Sequence, residues 1–271
     1  MSMENLQNNP IERQRSSPQL EMANEINLAF AVKEITVTGE ENIRQIPKGA
    51  RVVVLTTHMT DLDVPLAIHA LAERLDLAVM NLSTHHKFSG PKGEMPTNIG
   101  IRFAGKSNFL PIDYHKDKTG KKSPKAFNPE NFEMATEAIK KGKTIVTAAH
   151  NPSRKPLQNL EGVKGGYGGV YLALLNNAWV LPVASVLDRP TGMYESMLKT
   201  VIKDRPNASV AIGRPFQLAH IEGIEHFTEL QKKKNLTEAE RAEFSRLANA
   251  LRERSQVVME HLSQQLVTHN E

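Results

Sequence analysis

The stretch that decides the fold is residues 51–66, which read RVVVLTTHMTDLDVPL. Its first part, Arg51–Thr57, is a short β-branched apolar run, the pattern of a strand buried on both faces. Leu62–Leu75 follows with helical spacing, and Pro65 is tolerated there because it lies in the first turn. A buried strand that leads directly into a helix is typical of an α/β domain.

The same alternation continues along the chain. Further strands are predicted at Leu77–Leu82, Phe109–Asp113, Lys143–Ala149, Trp179–Leu187 and Ser209–Ile212. Helices are predicted from Pro129 to Lys141, after the glycine-rich stretch Gly162–Gly169, and from Thr237 to Val267. The predicted fold is therefore α/β, with a mixed β-sheet flanked by helices and a long C-terminal helix. That last helix carries an apolar stripe, typical of core or of an oligomer seam: Phe244, Leu247, Leu251, Val258, Leu262 and Leu266.

Composition excludes several classes of protein. The 271 residues carry 34 Lys and Arg against 30 Asp and Glu, a net charge of +4. Because there is no Cys, disulfides, thiolate metal sites and cysteine nucleophiles are all excluded. No apolar run reaches the roughly 18 residues that a membrane span needs. We predict a disordered tail over residues 1–22, without the features of a signal peptide, and a single domain over residues 23–271.

The candidate catalytic group is His58, which lies where the first predicted strand ends. Ligands bind at such strand ends in open α/β sheets, and a His there can take a proton from a hydroxyl near neutral pH. A carboxylate is needed to fix the ring's tautomer and stabilise the imidazolium. Asp63, one turn into the helix, can fold back to the ring, whereas Asp61 is a competing partner or a helix cap.

The sequence leaves two further questions about its histidines open: whether His58 binds a metal, and what role His150 has. A metal-dependent hydrolase could use His58, Asp61 and Asp63, although no second His stands at the short spacing that makes such sites credible. His150 ends the strand predicted at Lys143–Ala149, at the same sheet edge as His58. It either contacts substrate or serves as a hydrogen-bonded structural His, and we favour the structural role.

Several segments occur in an order that resembles a known family. They are His58-x4-Asp63, Val37–Ile43, Gly105–Asp113 (GKSNFLPID), Lys143–Arg154 (KTIVTAAHNPSR), Lys164–Leu175 and Leu181–Ala184. Over roughly Ile35 to Leu187, the chain resembles the phospholipid/glycerol acyltransferases, which act on glycerol-3-phosphate or its 1-acyl form. It departs from their pattern at Tyr114, where Arg is common, and at Asn151-Pro152, where Glu-Gly is common.

The resemblance implies transfer of a fatty acyl chain from acyl-CoA or acyl carrier protein to a hydroxyl of glycerol-3-phosphate or lysophosphatidic acid. His58 would be the general base and Asp63 would orient it. The residues implied to bind substrate are Arg154, Ser153, Asn151, His150 and Lys164. A non-catalytic, lipid-binding relative is the alternative, because the Glu and Arg of the family's pattern are missing.

The expected partners follow from the same resemblance. The acyl donor is a co-substrate, and neither a cofactor nor a metal is needed. Aromatic residues make up only 5% of the chain, which disfavours base stacking and nucleic acid as a partner. The basic cluster Lys116–Lys125 is either a solvated loop, the usual case for such a run, or a patch that binds an anionic surface. We therefore expect a cytoplasmic protein that associates peripherally with the inner face of the membrane.

Overall fold

The computed structural model describes residues 16–60, 62–81, 109–111, 129–150, 159–189, 205–233 and 235–267. Its strands are β1 (Ile35–Thr38), β2 (Val52–Thr56), β3 (Leu77–Asn81), β4 (Phe109–Pro111), β5 (Thr144–Ala148), β6 (Trp179–Leu187), β7 (Ala208–Ile212) and β8 (Phe216–Gln217). Its helices are α1 (Pro18–Ala31), α2 (Asp63–Leu71), α3 (Pro129–Lys140), α4 (Gly168–Leu175), α5 (Phe227–Lys232) and α6 (Glu238–Val267). Two 3₁₀ turns, Glu40–Gln45 and Ile224–His226, complete the described elements.

The strands form one mixed sheet in the order β1-β7-β6-β2-β5-β3-β4, with β8 paired to β6. β2 runs parallel to both β5 and β6, and β3 runs parallel to β5 and β4. β7 pairs with β6 in the antiparallel direction. The carboxyl ends of β2 to β6 therefore meet at one edge of the sheet, where ligand sites occur in such folds.

Helices cover both faces of the sheet, as the apolar run of β2 predicts. Val52 and Val54 belong to a core built with α1 and α2, whereas Val53 and Leu55 belong to a second core built with α3, α4 and α6. All five β2 residues are buried. The predicted α/β class, mixed sheet and flanking helices are confirmed.

The long C-terminal helix packs as core. Leu247, Leu251 and Leu262 are fully buried in the core that α6 shares with α3 and α4, and Phe244 packs against that core. The apolar stripe of α6 therefore packs against the core of its own chain. Along the described ranges, no helix combines the length and apolarity that crossing a membrane requires.

The amino-terminal boundary needs a correction. Residues 18–22 of the tail predicted over residues 1–22 are helical: α1 begins at Pro18, and the Leu20 side chain is buried. The Ser17 side chain caps the helix by accepting a hydrogen bond from the Leu20 N–H at 3.3 Å, and Pro18 takes the first helical position. Ser-Pro is thus a helix start here, where composition alone suggested disorder.

The glycine-rich stretch before α4 allows close packing of the helix on the sheet. A Cβ placed on Gly169 would lie 2.3 Å from Leu55 Cδ2 and 3.0 Å from Thr147 Cγ2. Only glycine lets α4 approach β2 and β5 this closely. The glycine at position 169 is therefore required by the close packing of α4 on the sheet.

Candidate active site

Two histidines stand at the carboxyl edge of the sheet, each just beyond a central strand. Thr56 and Ala148 pair as the last residues of β2 and β5, and His58 and His150 follow each of them by two residues. The centroids of the two rings lie 6.4 Å apart. The parallel pairing of β2 and β5 therefore brings together two side chains that are distant in sequence.

Beside His58, the carboxylate of Asp63 is buried, with 1% of the residue exposed. The Ser185 hydroxyl donates to its Oδ1 at 2.7 Å, and the Thr57 hydroxyl donates to the same oxygen. Oδ2 accepts from the Thr60 N–H at 2.6 Å and from the Thr60 hydroxyl at 2.9 Å. A buried carboxylate is tolerated only with such donors. We call Thr57, Thr60, Asp63 and Ser185 the Asp63 cluster.

Part of this cluster is a local helix start. In Thr60-x-x-Asp63, the Asp63 carboxylate reaches back and accepts the Thr60 backbone N–H, as the acid of a capping box does, although Leu62 occupies the N-cap position of α2. The Thr60 hydroxyl also accepts from the Leu62 N–H at 3.1 Å. Asp63 is the first residue of α2, where its negative charge also complements the helix dipole. One carboxylate thus starts the helix and fixes the turn that carries His58.

The turn anchors the His58 ring through a backbone group. Nδ1 of the half-buried His58 lies 3.2 Å from the Thr60 carbonyl oxygen. With a carbonyl as its partner, Nδ1 has to carry the proton, so that Nε2 keeps its lone pair. No hydrogen bond to Nε2 is formed by the residues described. A neutral imidazole in this tautomer can accept a proton from a hydroxyl at Nε2.

The direct contact expected between Asp63 and the His58 ring is replaced by a relay through Thr60. The Thr60 N–H and hydroxyl bond to the carboxylate, whereas the Thr60 carbonyl faces the ring. The reason is that both carboxylate oxygens of Asp63 already accept hydrogen bonds from the turn and from Ser185 of β6. Asp63 is therefore linked to the His58 ring through one intervening residue.

His150 is buried and hydrogen-bonded within the protein. It is 2% exposed, and its Nε2 accepts a hydrogen bond from the His58 backbone N–H at 2.8 Å. Its backbone forms an isolated antiparallel bridge with Gly165. The Nε2 atom is thereby committed to the protein.

The other predicted site residues are not brought to His58 by the described structure. Lys164 is exposed and lines a groove of about 470 Å³ between residues 160–164 and α6. Outside the described residues lie Asp61, His85, His86, Lys116–Lys125, Tyr114, Asn151, Ser153 and Arg154. Binding of substrate by Arg154, Ser153, Asn151 and Lys164 stays a prediction.

Three members of the Asp63 cluster, Thr57, Thr60 and Ser185, were not among the residues predicted. Thr60-x-x-Asp63 before an apolar helix is a signal that could have found the first-turn contact. Ser185 carries no local signal, because it reaches the cluster from β6 and stands 122 positions after Asp63 in the chain. Only the pairing of β2 with β6 brings it there.

A metal centre is not favoured by the donor set. Both Asp63 oxygens accept hydrogen bonds from neutral donors, and these occupy the lone pairs that a cation would use. Among the described ranges, no group of three or more His, Asp and Glu side chains is placed to hold a metal ion.

Comparison with known proteins gives a distant structural likeness. No protein-family model matches the sequence, and no curated protein matches it. Among solved structures, the chain is similar to PlsC, the 1-acyl-sn-glycerophosphate (LPA) acyltransferase from Thermotoga maritima. The likeness has 17% identity and a TM-score of 0.44, and it covers 84% of this chain and 79% of that one. At these values the likeness does not bear on the reaction, so the chemistry has to be argued from the site.

Proposed function

We propose that this protein is a glycerolipid O-acyltransferase that moves a fatty acyl chain from a thioester donor to a hydroxyl of a glycerophosphate-type acceptor. The supporting observation is His58: its Nδ1 is anchored on the Thr60 carbonyl, and its Nε2 is available at the carboxyl edge of the sheet. The ordered segments around His58-x4-Asp63 that resemble the phospholipid/glycerol acyltransferases supply the substrate class. The donor is acyl-CoA or acyl carrier protein, and the acceptor is glycerol-3-phosphate or lysophosphatidic acid.

In the proposed reaction, the acceptor hydroxyl gives its proton to His58 Nε2 as its oxygen attacks the thioester carbonyl. The C–O bond of the ester forms and the C–S bond breaks. The imidazolium then returns the proton to the departing thiolate, so that a free thiol leaves and the enzyme is restored. The buried carboxylate of Asp63 stabilises the imidazolium between these two steps. No covalent enzyme intermediate, metal or cofactor is required.

We further propose that Arg154 binds the acceptor's phosphate and that Ser153, Asn151 and Lys164 contribute to the same binding. A guanidinium suits a phosphate because its fork donates two parallel hydrogen bonds. Replacing Arg154 by Ala should raise KM for a phosphorylated acceptor and leave KM for a neutral glycerol acceptor unchanged. An equal loss on both acceptors would remove Arg154 from the phosphate site.

The function is tested by thiol release from acyl-CoA and acyl carrier protein in the presence of a panel of hydroxyl acceptors. His58→Ala should lower kcat by about 10²–10⁴-fold, the usual contribution of a general base, while the thermal transition is kept. His69→Ala is the matched control, since His69 lies on α2 and pairs with Glu25 at the surface. Wild-type turnover in a folded His58→Ala protein would overturn the assignment.

The same assay separates the two alternatives. A hydrolase that used His58, Asp61 and Asp63 to hold a metal would lose activity to a chelator, whereas the proposed transferase would not. A non-catalytic lipid-binding protein would bind acyl chains and release no thiol with any acceptor. Formation of an acylated acceptor that is indifferent to chelation fits only the transferase.

Because its substrates partition into bilayers, we propose that the protein works at the cytoplasmic face of the membrane. The basic cluster Lys116–Lys125 would attract anionic lipid, with about 1 kcal/mol from each Lys near the surface, and salt would weaken this attraction. Sedimentation with anionic vesicles at rising salt measures it. If the protein ignores such vesicles at low salt, a water-soluble acceptor with an acyl carrier protein donor becomes the preferred pair.

A further inference from the structure

The side chain of His150 bonds to the backbone of the residue that carries the proposed chemistry. Its Nε2 accepts the His58 N–H at 2.8 Å, and the residue is 2% exposed. An accepting Nε2 has no proton, so the neutral ring carries its proton on Nδ1. The hydrogen bond therefore gives the buried ring of His150 a partner on the half-buried His58 and fixes the tautomer of His150.

This bond lies where the regular pairing of β2 comes to an end. The Thr57 N–H still bonds to the Val183 carbonyl at 3.2 Å, and the Ala149 N–H bonds to the Thr56 carbonyl at 2.8 Å. At His58 the next backbone donor is met by the His150 ring instead of a strand. The His150 side chain thus accepts the backbone N–H of His58, which lies just beyond the last strand pairing of β2.

His150 is itself fixed by the C-terminal helix. The Gly166 N–H bonds to the Ala149 carbonyl at 2.7 Å, and Gly165 forms a bridge with His150. The Ser255 hydroxyl of α6 donates to the Gly166 carbonyl at 3.2 Å. A Cβ on Gly165 would lie 2.1 Å from Ser255 Oγ, so no side chain fits between this segment and α6.

We propose that His150 is a positioning residue, which holds the His58 backbone so that Nε2 of His58 faces the acceptor hydroxyl. The proposal rests on the acyltransferase function given above. It assigns His150 the structural alternative and not the substrate contact, because the residue is 2% exposed and its Nε2 faces the His58 amide. α6 is thereby linked to His58 through the backbone of Gly165 and Gly166 and through the His150 ring.

Two substitutions at His150 separate positioning from bulk. His150→Leu removes the acceptor and keeps an apolar volume, whereas His150→Gln keeps an acceptor oxygen. Misplacement of a catalytic group by about 1 Å can cost about 100-fold in rate, so kcat should fall by about 10- to 100-fold in His150→Leu with KM little changed. His150→Gln should recover most of the loss. Equal loss in both variants, or a raised KM with unchanged kcat, would overturn the proposal.

A second pair of variants leaves His150 intact. Gly165→Ala should lower kcat, because its Cβ would push the bridge away from Ser255 and Met259, which lie 2.1 Å and 2.9 Å from it. Gly166→Ala is the matched control, since its Cβ would meet only ordinary contacts at 3.6 Å and 3.7 Å. If both variants turn over equally, α6 does not position His58.

A measurement without substrate separates failure of this proposal from failure of the proposed function. In ¹⁵N-labelled protein, the His58 amide nitrogen and His150 Nε2 should show a coupling across the hydrogen bond, absent in His150→Leu. No coupling in an active wild-type enzyme would overturn the positioning proposal alone. A clear coupling in a wild-type protein that transfers no acyl group would instead reject the acyltransferase function, and with it the catalytic meaning of the bond.

Discussion

Two helices of this molecule start beside a Thr-x-x-acid pair, one at the candidate site and one at the surface. At α2, the Asp63 carboxylate accepts the Thr60 N–H at 2.6 Å. At α6, the Glu240 carboxylate accepts the Thr237 N–H at 2.9 Å. Both pairs have the Thr-x-x-acid spacing of a capping box, and we call them the buried box and the surface box. Thr237 directly precedes α6, whereas Leu62 stands at the N-cap position of α2 and Asp63 is the first residue of that helix.

The partners around the two carboxylates differ. The surface box closes in the usual reciprocal way, with the Glu240 N–H donating to the Thr237 hydroxyl at 3.3 Å, and Lys233 pairs with the carboxylate. The hydrogen bond from Lys233, with those from Thr237, lowers the pKa of Glu240 to about 2. The buried box has no cation among its described partners, and hydroxyls from Thr57, Thr60 and Ser185 supply the donors instead.

This difference bears on the proposed reaction. Neutral donors solvate the Asp63 charge without cancelling it, so a net negative charge remains one residue away from the His58 ring. Such a charge stabilises an imidazolium when the ring takes a proton. The Glu240 charge, in contrast, is compensated by Lys233.

The largest effect should come from removing the buried carboxylate. Asp63→Ala leaves the Thr60 N–H and the Ser185 hydroxyl without an acceptor, and each buried unsatisfied group costs about 1–3 kcal/mol. We expect a free energy of unfolding lower by several kcal/mol, together with loss of transferase activity. Denaturant titration and the thiol-release assay measure the two effects.

Glu240→Ala is the matched control for that experiment. It removes the acid of the surface box, which is open to solvent and screened by salt. It should shift the unfolding midpoint far less and leave kcat unchanged. If the two substitutions destabilise the protein equally, burial does not distinguish the two boxes.

The sequence reveals the two boxes but not what surrounds them. Alternating apolar runs and helical spacing were enough to predict every central strand, because residues such as Val53 and Leu55 are buried by the sheet that their own run forms. The short β1 and β8 and the helices α1 and α5 were not predicted. Their apolar patterns are brief, and α1 was hidden by a polar composition around Ser17-Pro18.

The site was predictable only as far as local sequence reaches. His58 at a strand end and Asp63 in the first turn could be named from spacing. Ser185 and the contact between His58 and His150 depend on which strands are neighbours of β2, and strand order is not encoded in any short segment. The link between Asp63 and His58 through Thr60 uses the Thr60 backbone carbonyl. Every residue has such a carbonyl, so the sequence does not predict this contact.

A smaller effect should follow from removing one hydroxyl of the Asp63 cluster. Ser185→Ala loses the 2.7 Å bond to the carboxylate, and a hydrogen bond to a charged group contributes about 1.5–3 kcal/mol. Three donors to Asp63 remain, so activity should fall but persist. Ser245→Ala is the control, since that exposed hydroxyl only bonds back to the Arg241 carbonyl of its own helix. Equal unfolding free energies for the two variants would contradict a cooperative cluster.

The smallest effect is the pH dependence of the stability that the Glu240 carboxylate of the surface box contributes. The pKa of Glu240 lies at about 2 in the folded chain against an ordinary value of 4.5. A lowered folded pKa means that the carboxylate stabilises the fold above pH 4.5 and loses this contribution as the pH falls towards about 2. Glu240→Gln should therefore melt slightly below the wild type at neutral pH, and the gap should close across that acid window. Added salt should narrow the gap at neutral pH, because the Lys233 pair is exposed on the surface. A gap that stays constant with pH would mean that the bond from the Thr237 N–H, which an amide oxygen can also accept, accounts for the box without its charge.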